Sequence, residues 1–253
     1  MTDAHCHVTG GDPSVREFLI GRDFFGIHPW EAAGEGLESL EKWLREKLTN
    51  PSLSNLSNLS NFSNFSNFSN VSNLPNFPNL LPGVGEIGLD RLKEKSISPR
   101  MREVFEVQLK LALEFNRPVV LHGAKCWGQV VETVRRAIEE SNDPKNRTIP
   151  SFLFHGFSRS DGLIPDIVKL NGYISVGPAV LNDHAVNYRE LVKKIPSDRL
   201  LLETDRTPEN ATECPSVREV ADKVAELRGV AIGELERTVD ANAAAFAAGG
   251  SRF

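Results

Sequence analysis

Cysteine is scarce in this chain and follows no pattern: Cys6, Cys126 and Cys214 are its three thiols, and no two of them form a Cys-x-x-Cys pair. An odd count without that spacing argues against a disulfide-stapled scaffold and suits a reducing compartment. Long apolar runs are missing as well. No stretch of about 18 residues is apolar throughout, so nothing reads as a bilayer span. The opening residues, MTDAHCHV, have neither the basic nor the apolar region of a signal peptide. Net positive charge is also absent, since 29 Lys and Arg stand against 34 Asp and Glu for a balance of −5. That balance excludes a broad basic face wrapped around duplex DNA and leaves room only for a local positive patch. Together these absences describe a soluble cytoplasmic protein that avoids membranes and shows no sign of an obligate protein partner.

What is present is an ordinary globular balance, with 40% hydrophobic and 25% charged residues in 253. That length sits within the range of one (β/α) barrel. One segment stands apart from the rest. From Pro51 to Pro82 asparagine recurs every third residue between Asn55 and Asn79, and each is followed by Leu, Phe or Val. A period of three matches neither the 3.6 of a helix nor the 2 of a strand, so no face is consistently buried. Residues 51–82 read as a low-complexity Asn/Ser insert within a single barrel domain covering 1–253.

Outside the insert, short apolar runs alternate with helical patterns. Strands are expected at Asp3–Val8, Phe24–Ile27, Val84–Leu89, Val119–His122, Ser151–His155, Tyr173–Val176 and Leu200–Thr204. Apolar stripes on Met101, Val104, Phe105, Leu111, Ala112 and Phe115, and on Trp127, Val130, Val131, Val134 and Ile138, mark two helices. Ser216 and Glu219 form a capping box that opens a third, ending near Gly229. Alternating strands and helices imply a parallel sheet, and here a TIM-type (β/α) barrel.

The chemistry gathers where these strands end. His5 and His7 share one face of the first strand, with Cys6 turned the other way. Glu86 lies in the strand after the insert, and later apolar runs close on His122, His155 and Asp205. In a barrel such strand ends form one mouth, where active sites are built. A lone histidine after an apolar run is usually a structural hydrogen-bonder. Here four of only six histidines occupy such positions, which points to a divalent metal site. His28, in Gly-Ile-His-Pro-Trp, is a fifth candidate, either a substrate contact or a local turn bonder. His184 reads as solvent-exposed, and Gln108 as a packed core amide.

The ordered motifs DAHCHV, GIHPW, GEIGLD, QLKLALEFNRPVVLHG, FHGFSRS, NGYISVG, LLLETD and VDANAAAF resemble the TatD family of metal-dependent deoxyribonucleases. The resemblance covers nearly the whole chain outside the insert. It implies two divalent ions per chain (Mg, Mn or Zn). One would be held by His5, His7, Glu86 and Asp205, and the second by Glu86, His122 and His155. It also implies hydrolysis of phosphodiester bonds in DNA, exonucleolytically from an end, with Glu86 and Asp205 as the catalytic carboxylates.

Departures from the family surround the substrate rather than the proposed ligands. The stretch between His7 and Gly26 is short where the family carries a further strand–helix unit. Either Arg16–Ile20 supplies a short replacement strand or the barrel lacks one unit, and seven legible strands favour the lack. Trp30 replaces a histidine, the arginine after the strand-five histidine is absent from LHGAKCW, and the last strand ends Asp205-Arg-Thr-Pro. Arg91, Lys125, Arg159 and Arg206, each near a ligand-bearing strand end, are expected to bind substrate phosphate together with His28. Two alternatives stay open: a metal-dependent hydrolase of a small phosphoester, amide or lactone, and a decayed barrel retained as a binding scaffold.

Overall fold

The computed structural model describes residues 1–34, 36–49, 82–93, 95–141, 148–249 and 251–252. The low-complexity insert, apart from Pro82, lies outside the described residues.

In chain order the strands are β1 (Thr2–Cys6), β2 (Arg16–Leu19), β3 (Phe24–Phe25), β4 (Gly83–Asp90), β5 (Val119–Ala124), β6 (Thr148–Ile149), β7 (Phe152–Phe154), β8 (Gly172–Val176), β9 (Leu200–Leu202) and β10 (Ser251–Arg252). The helices are α1 (Leu37–Thr49), α2 (Pro99–Glu114), α3 (Trp127–Glu140), α4 (Ile164–Lys169), α5 (Val186–Lys194), α6 (Val217–Arg228) and α7 (Ile232–Ala248). Six strands form one parallel sheet in the order β3-β4-β5-β7-β8-β9, while β1 and β2 form a parallel pair. β6 and β10 pair antiparallel apart from both.

The two parallel sheets meet at both edges. Ile20 bridges Phe24 beside β3. At the other edge His5 O accepts from Asp205 N at 3.0 Å, and the Asp3 carboxylate accepts from Thr204 N and Thr204 Oγ1 at 3.0 and 2.6 Å. Eight parallel segments thus follow one another around the fold. Arg16–Leu19 takes the strand position that the sequence left in doubt, correcting the expectation of a lost strand. The shortfall is in the helical coat, because neither the β1–β2 nor the β2–β3 connection contains a helix. Arg-Glu-Phe-Leu gave only a faint strand signal because it has one fully buried side chain, Phe18, and three partly exposed neighbours.

Alternation along the strands sorts the core into two layers. Ala4, Phe18, Phe24, Val120, Leu153, Tyr173 and Leu201 point inward and meet Phe246 from α7. Phe24 and Phe246 stack at 5.8 Å, and Ser151, just before β7, donates to Phe246 O at 2.5 Å. Phe246 therefore plugs the end of the sheet where the strands begin. The intervening residues, among them Val119, Leu121, Phe152, Phe154, Ile174 and Leu202, face outward and pack in one cluster with side chains of α2, α3 and α6.

The expected helices have the ends their sequences specify. Ser98 caps α2 by accepting from Met101 N, with Pro99 in the first turn. Ser216 and Glu219 make the reciprocal capping box of α6, and Gly229 ends it at φ 65°. No helix among the described residues is long and apolar enough to cross a membrane.

Candidate metal centre

Each ligand candidate is placed by the strand it lies on or follows. In β1 a register shift between Asp3 and Cys6 adds one residue against β2. His5 and His7 both reach the cluster, while Cys6 is buried and donates to Phe18 O at 3.6 Å. In β4, Gly88 has φ 150°, and a Cβ there would lie 2.0 Å from His122 O. Glycine is what lets β4 lie flush against β5 and sets Glu86 beside His122. His28 follows β3, and its position is clamped from α2: Ile27 N donates to Gln108 Oε1 at 2.6 Å, and Gln108 Nε2 donates to Ile27 O at 3.1 Å.

Glu86 is the hub. Its Oε1 lies 2.6 Å from His122 Nδ1, 2.6 Å from His155 Nε2 and 3.6 Å from His28 Nε2. Its Oε2 lies 3.5 Å from both His5 Nε2 and His7 Nε2. Asp205 Oδ1 stands on the other side of those two nitrogens, at 3.4 and 3.7 Å. His5 and His155 stack with ring centroids 4.1 Å apart. Three overlapping groups have donor atoms within 4.8 Å of one another: His5, His7 and Glu86; His5, His155 and Asp205; His28, Glu86 and His122. The structure therefore brings all six expected ligands together and adds His28, for which a substrate contact or a local turn bond was expected; its Nδ1 does accept the turn bond from Trp30 N at 3.2 Å.

The electrostatics are those of a site built for cations. Burial alone would push the Glu86 carboxyl up, but His155, His122 and His28 around it hold it well below the usual carboxylate range. Burial likewise opposes charge on His155, yet the Glu86 carboxylate raises that imidazole to about 10. Burial beside His155 lowers His5 to about 4, so His5 is a neutral nitrogen ligand at ordinary pH. Asp205 is held low, against its burial, by His5 and His155.

A divalent ion fits this donor set. Both ring nitrogens of His5 are buried without a hydrogen-bond partner. Its Nε2 sits 3.4 and 3.5 Å from two carboxylate oxygens, long for a hydrogen bond. Two ligands each at about 2.1 Å from a shared ion stand roughly 3.0 to 3.4 Å apart, which is close to that spacing.

Two carboxylates that the sequence reading passed over stand behind the histidines. Asp90 Oδ2 lies 2.8 Å from His122 Nε2, and Asp90 Oδ1 accepts from Leu92 N and Lys93 N. Glu203 Oε2 lies 3.8 Å from His155 Nδ1 and accepts from Ser175 Oγ, while Oε1 accepts from Gly156 N at 2.7 Å. Burial raises Glu203 to about 7, against the pull of His155. Spacing was the available signal: Glu203 is two residues before Asp205, and Asp90 four after Glu86.

The expected phosphate-binding cations fare unevenly. Arg159 is exposed and lines a cleft of about 1270 Å³ that opens beside Asp205, between the loops after β7, β8 and β9. His184 lies exposed on the wall of the same cleft. Arg91 and Lys125 are exposed near the ends of β4 and β5, outside that cleft. Arg206 is turned into its own loop, donating to Ala211 O at 2.8 Å and Cys214 O at 3.3 Å, while its carbonyl accepts from His7 N. Through these bonds it braces the loop that carries Asp205.

Comparison with known proteins agrees with this architecture. The family model described as TatD related DNase matches residues 22–247. A metal-dependent hydrolase of Bacillus subtilis, YabD, is 32% identical over 167 residues, covering 63% of this chain and 62% of that protein. A protein of Cronobacter sakazakii named as a 3′-5′ ssDNA/RNA exonuclease, TatD, is 29% identical over 173 residues, covering 64% and 63%. The matched stretch spans less than two thirds of either relative. The crystal structure of YjjV, a TatD homologue from Escherichia coli, superposes with a TM-score of 0.62 at 21% identity, covering 93% of this chain and 78% of that one. The fold is shared with that structure, and by the span of the family model the chain belongs to the TatD-related DNase family.

Proposed function

We propose that this protein is a metal-dependent hydrolase that removes nucleotides from the end of a single-stranded nucleic acid, DNA first, by cleaving phosphodiester bonds at a site for two divalent ions. The observation that carries the reading is Glu86, whose two oxygens face two different sets of imidazoles, as a carboxylate shared between neighbouring cations must. The chemistry that a cation pair supplies in such a site is Lewis-acid polarisation of a phosphoryl oxygen and neutralisation of the charge that develops on it.

The chain's own groups account for the rest. Asp205 turns Oδ1 toward His5 and His7, leaving Oδ2 to accept the proton of the attacking water. Water adds to phosphorus as the bond to the leaving sugar oxygen breaks. Arg159, at the wall of the cleft, orients a neighbouring phosphate. The name of the C. sakazakii relative supports a 3′ to 5′ direction.

The test is cleavage of 3′- and 5′-labelled single-stranded oligonucleotides by the purified protein with Mg²⁺, Mn²⁺ or chelator, beside Glu86→Ala. A ladder that needs metal and disappears in the variant supports the reading, and the label gives the direction. Absence of cleavage, with about two ions still bound, would replace it with hydrolysis of a small phosphoester, amide or lactone. Absence of both cleavage and binding would leave a scaffold.

A further inference from the structure

The largest side chain at the mouth is left unused by the hydrolytic machinery. Trp30 follows His28 and Pro29 in a short 3₁₀ turn and is 53% exposed. Of the three tryptophans, Trp127 is buried and Trp43 half-buried. An indole held this open contributes little to the core. It is nevertheless held in place. Its ring centroid lies 4.8 Å from that of His28 and 6.4 Å from that of His122, both nearly perpendicular, and its backbone N donates to His28 Nδ1 at 3.2 Å.

On the facing loop, Lys93 Nζ lies over the indole, 5.1 Å from its centroid, and the neighbouring Leu92 is 59% exposed. That loop is fixed to the cluster through Asp90, which accepts from Leu92 N and Lys93 N with one oxygen and faces His122 with the other. An aromatic face, an apolar neighbour and an ammonium are thereby tied to two candidate ligands. A flat π-system followed by a negative charge is what such a lip fits, and an unpaired nucleotide has both.

We propose that Trp30 is the base-stacking platform of this site. It would receive a nucleobase next to the scissile phosphate, with Lys93 moving from the ring onto the adjoining phosphate. The inference rests on the phosphodiesterase reading above and adds to it the part that recognises the substrate. A stacked base must be unpaired, so the platform selects single strands or frayed ends.

The experiment crosses the protein with its substrate. Metal-loaded wild type, Trp30→Ala and Trp30→Phe are assayed on a single-stranded oligonucleotide and on copies carrying one abasic residue at each of the three terminal positions. Trp30→Ala should lower kcat/KM on the complete strand roughly tenfold, mainly through KM, and Trp30→Phe should retain most of it. At one position the abasic substitution should cost wild type about tenfold and cost Trp30→Ala less than about twofold. Equal abasic costs in both proteins, with metal-dependent cleavage intact, overturn the platform and leave the nuclease standing.

A second readout separates the two claims. In stopped-flow fluorescence with Mg²⁺, five linked thymidylates should quench the indole emission of wild type and not that of Trp30→Phe. Quenching without cleavage keeps the platform and removes the nuclease. Loss of both quenching and cleavage removes both, and points instead to a protein surface docking on the lip.

Discussion

Asp90 Oδ2 faces His122 Nε2 at 2.8 Å, and this one contact decides which way the imidazole points. With Nε2 engaged, Nδ1 is turned toward Glu86 and His155, at 2.6 and 3.3 Å. A carboxylate behind a ligating histidine fixes its tautomer and raises its basicity. Asp90→Asn should therefore weaken Mn²⁺ binding by about 10- to 100-fold without changing the far-ultraviolet circular dichroism. Calorimetric titration gives the affinity, and an unchanged value would separate Asp90 from the metal site.

The Glu86–His155 contact fixes the pH response of the ion-free protein. Burial opposes charge on His155, but Glu86 raises it from the ordinary 6.5 to about 10. A folded value above the unfolded one adds stability that is complete below pH 6.5 and lost as the pH climbs through about 10. The chelated protein should therefore melt at progressively lower temperature between pH 7 and 10.

Ion binding reverses that slope, because a ligand nitrogen must first give up its proton. At pH 8 Mn²⁺ binding should release at least one proton per chain, and affinity should strengthen as the pH rises. Titrations in two buffers of different ionisation enthalpy count the protons. A release of none would remove His155 from the ligand set.

Arg159 and Arg206 should part company on substitution. Arg159→Ala should raise KM for an oligonucleotide several-fold with little change in melting temperature, as loss of one exposed phosphate contact does. Arg206→Ala removes the bonds to Ala211 O and Cys214 O and should lower stability by about 1–3 kcal/mol. Thermal melts alongside steady-state kinetics distinguish the two, and a pure KM effect at Arg206 would contradict the brace.

Gln108→Leu removes two buried bonds to Ile27 at once. It should lower stability by about 1–3 kcal/mol, measured by urea unfolding. It should also weaken whatever depends on His28, the next residue. A neutral result would mean that β3 holds its end without the clamp.

Much of this was legible in the chain because the signals were local. Strands such as Val119–Ala124 and Gly172–Val176 carry their own apolar runs, and His122, His155 and Asp205 each close one. β2 was legible only as one of two alternatives, since its place depends on pairing with β1 and only Phe18 in it is fully buried. His28 was legible as a turn bonder or a substrate contact but not as a partner of Glu86, because its spacing says nothing of the 3.6 Å across the mouth. The bonds of Arg206 to its own loop were hidden because backbone acceptors leave no trace in residue identity. Asp90 and Glu203 were hidden for a related reason: a residue that acts on a ligand from behind is recognisable only once the ligand's direction is known.

The thin coat around β1, β2 and β3 also shapes how this protein breathes. All eight residues of β4 are buried, whereas three of the four in β2 are partly exposed and no helix lies in the chain on either side of it. Amide hydrogens in this quarter should exchange with solvent well before those of β4, β5 and β8. His5, His7 and His28 all ride on it. An ion seated among them would slow that exchange, so capture of the ion and closure of the amino-terminal quarter become one equilibrium.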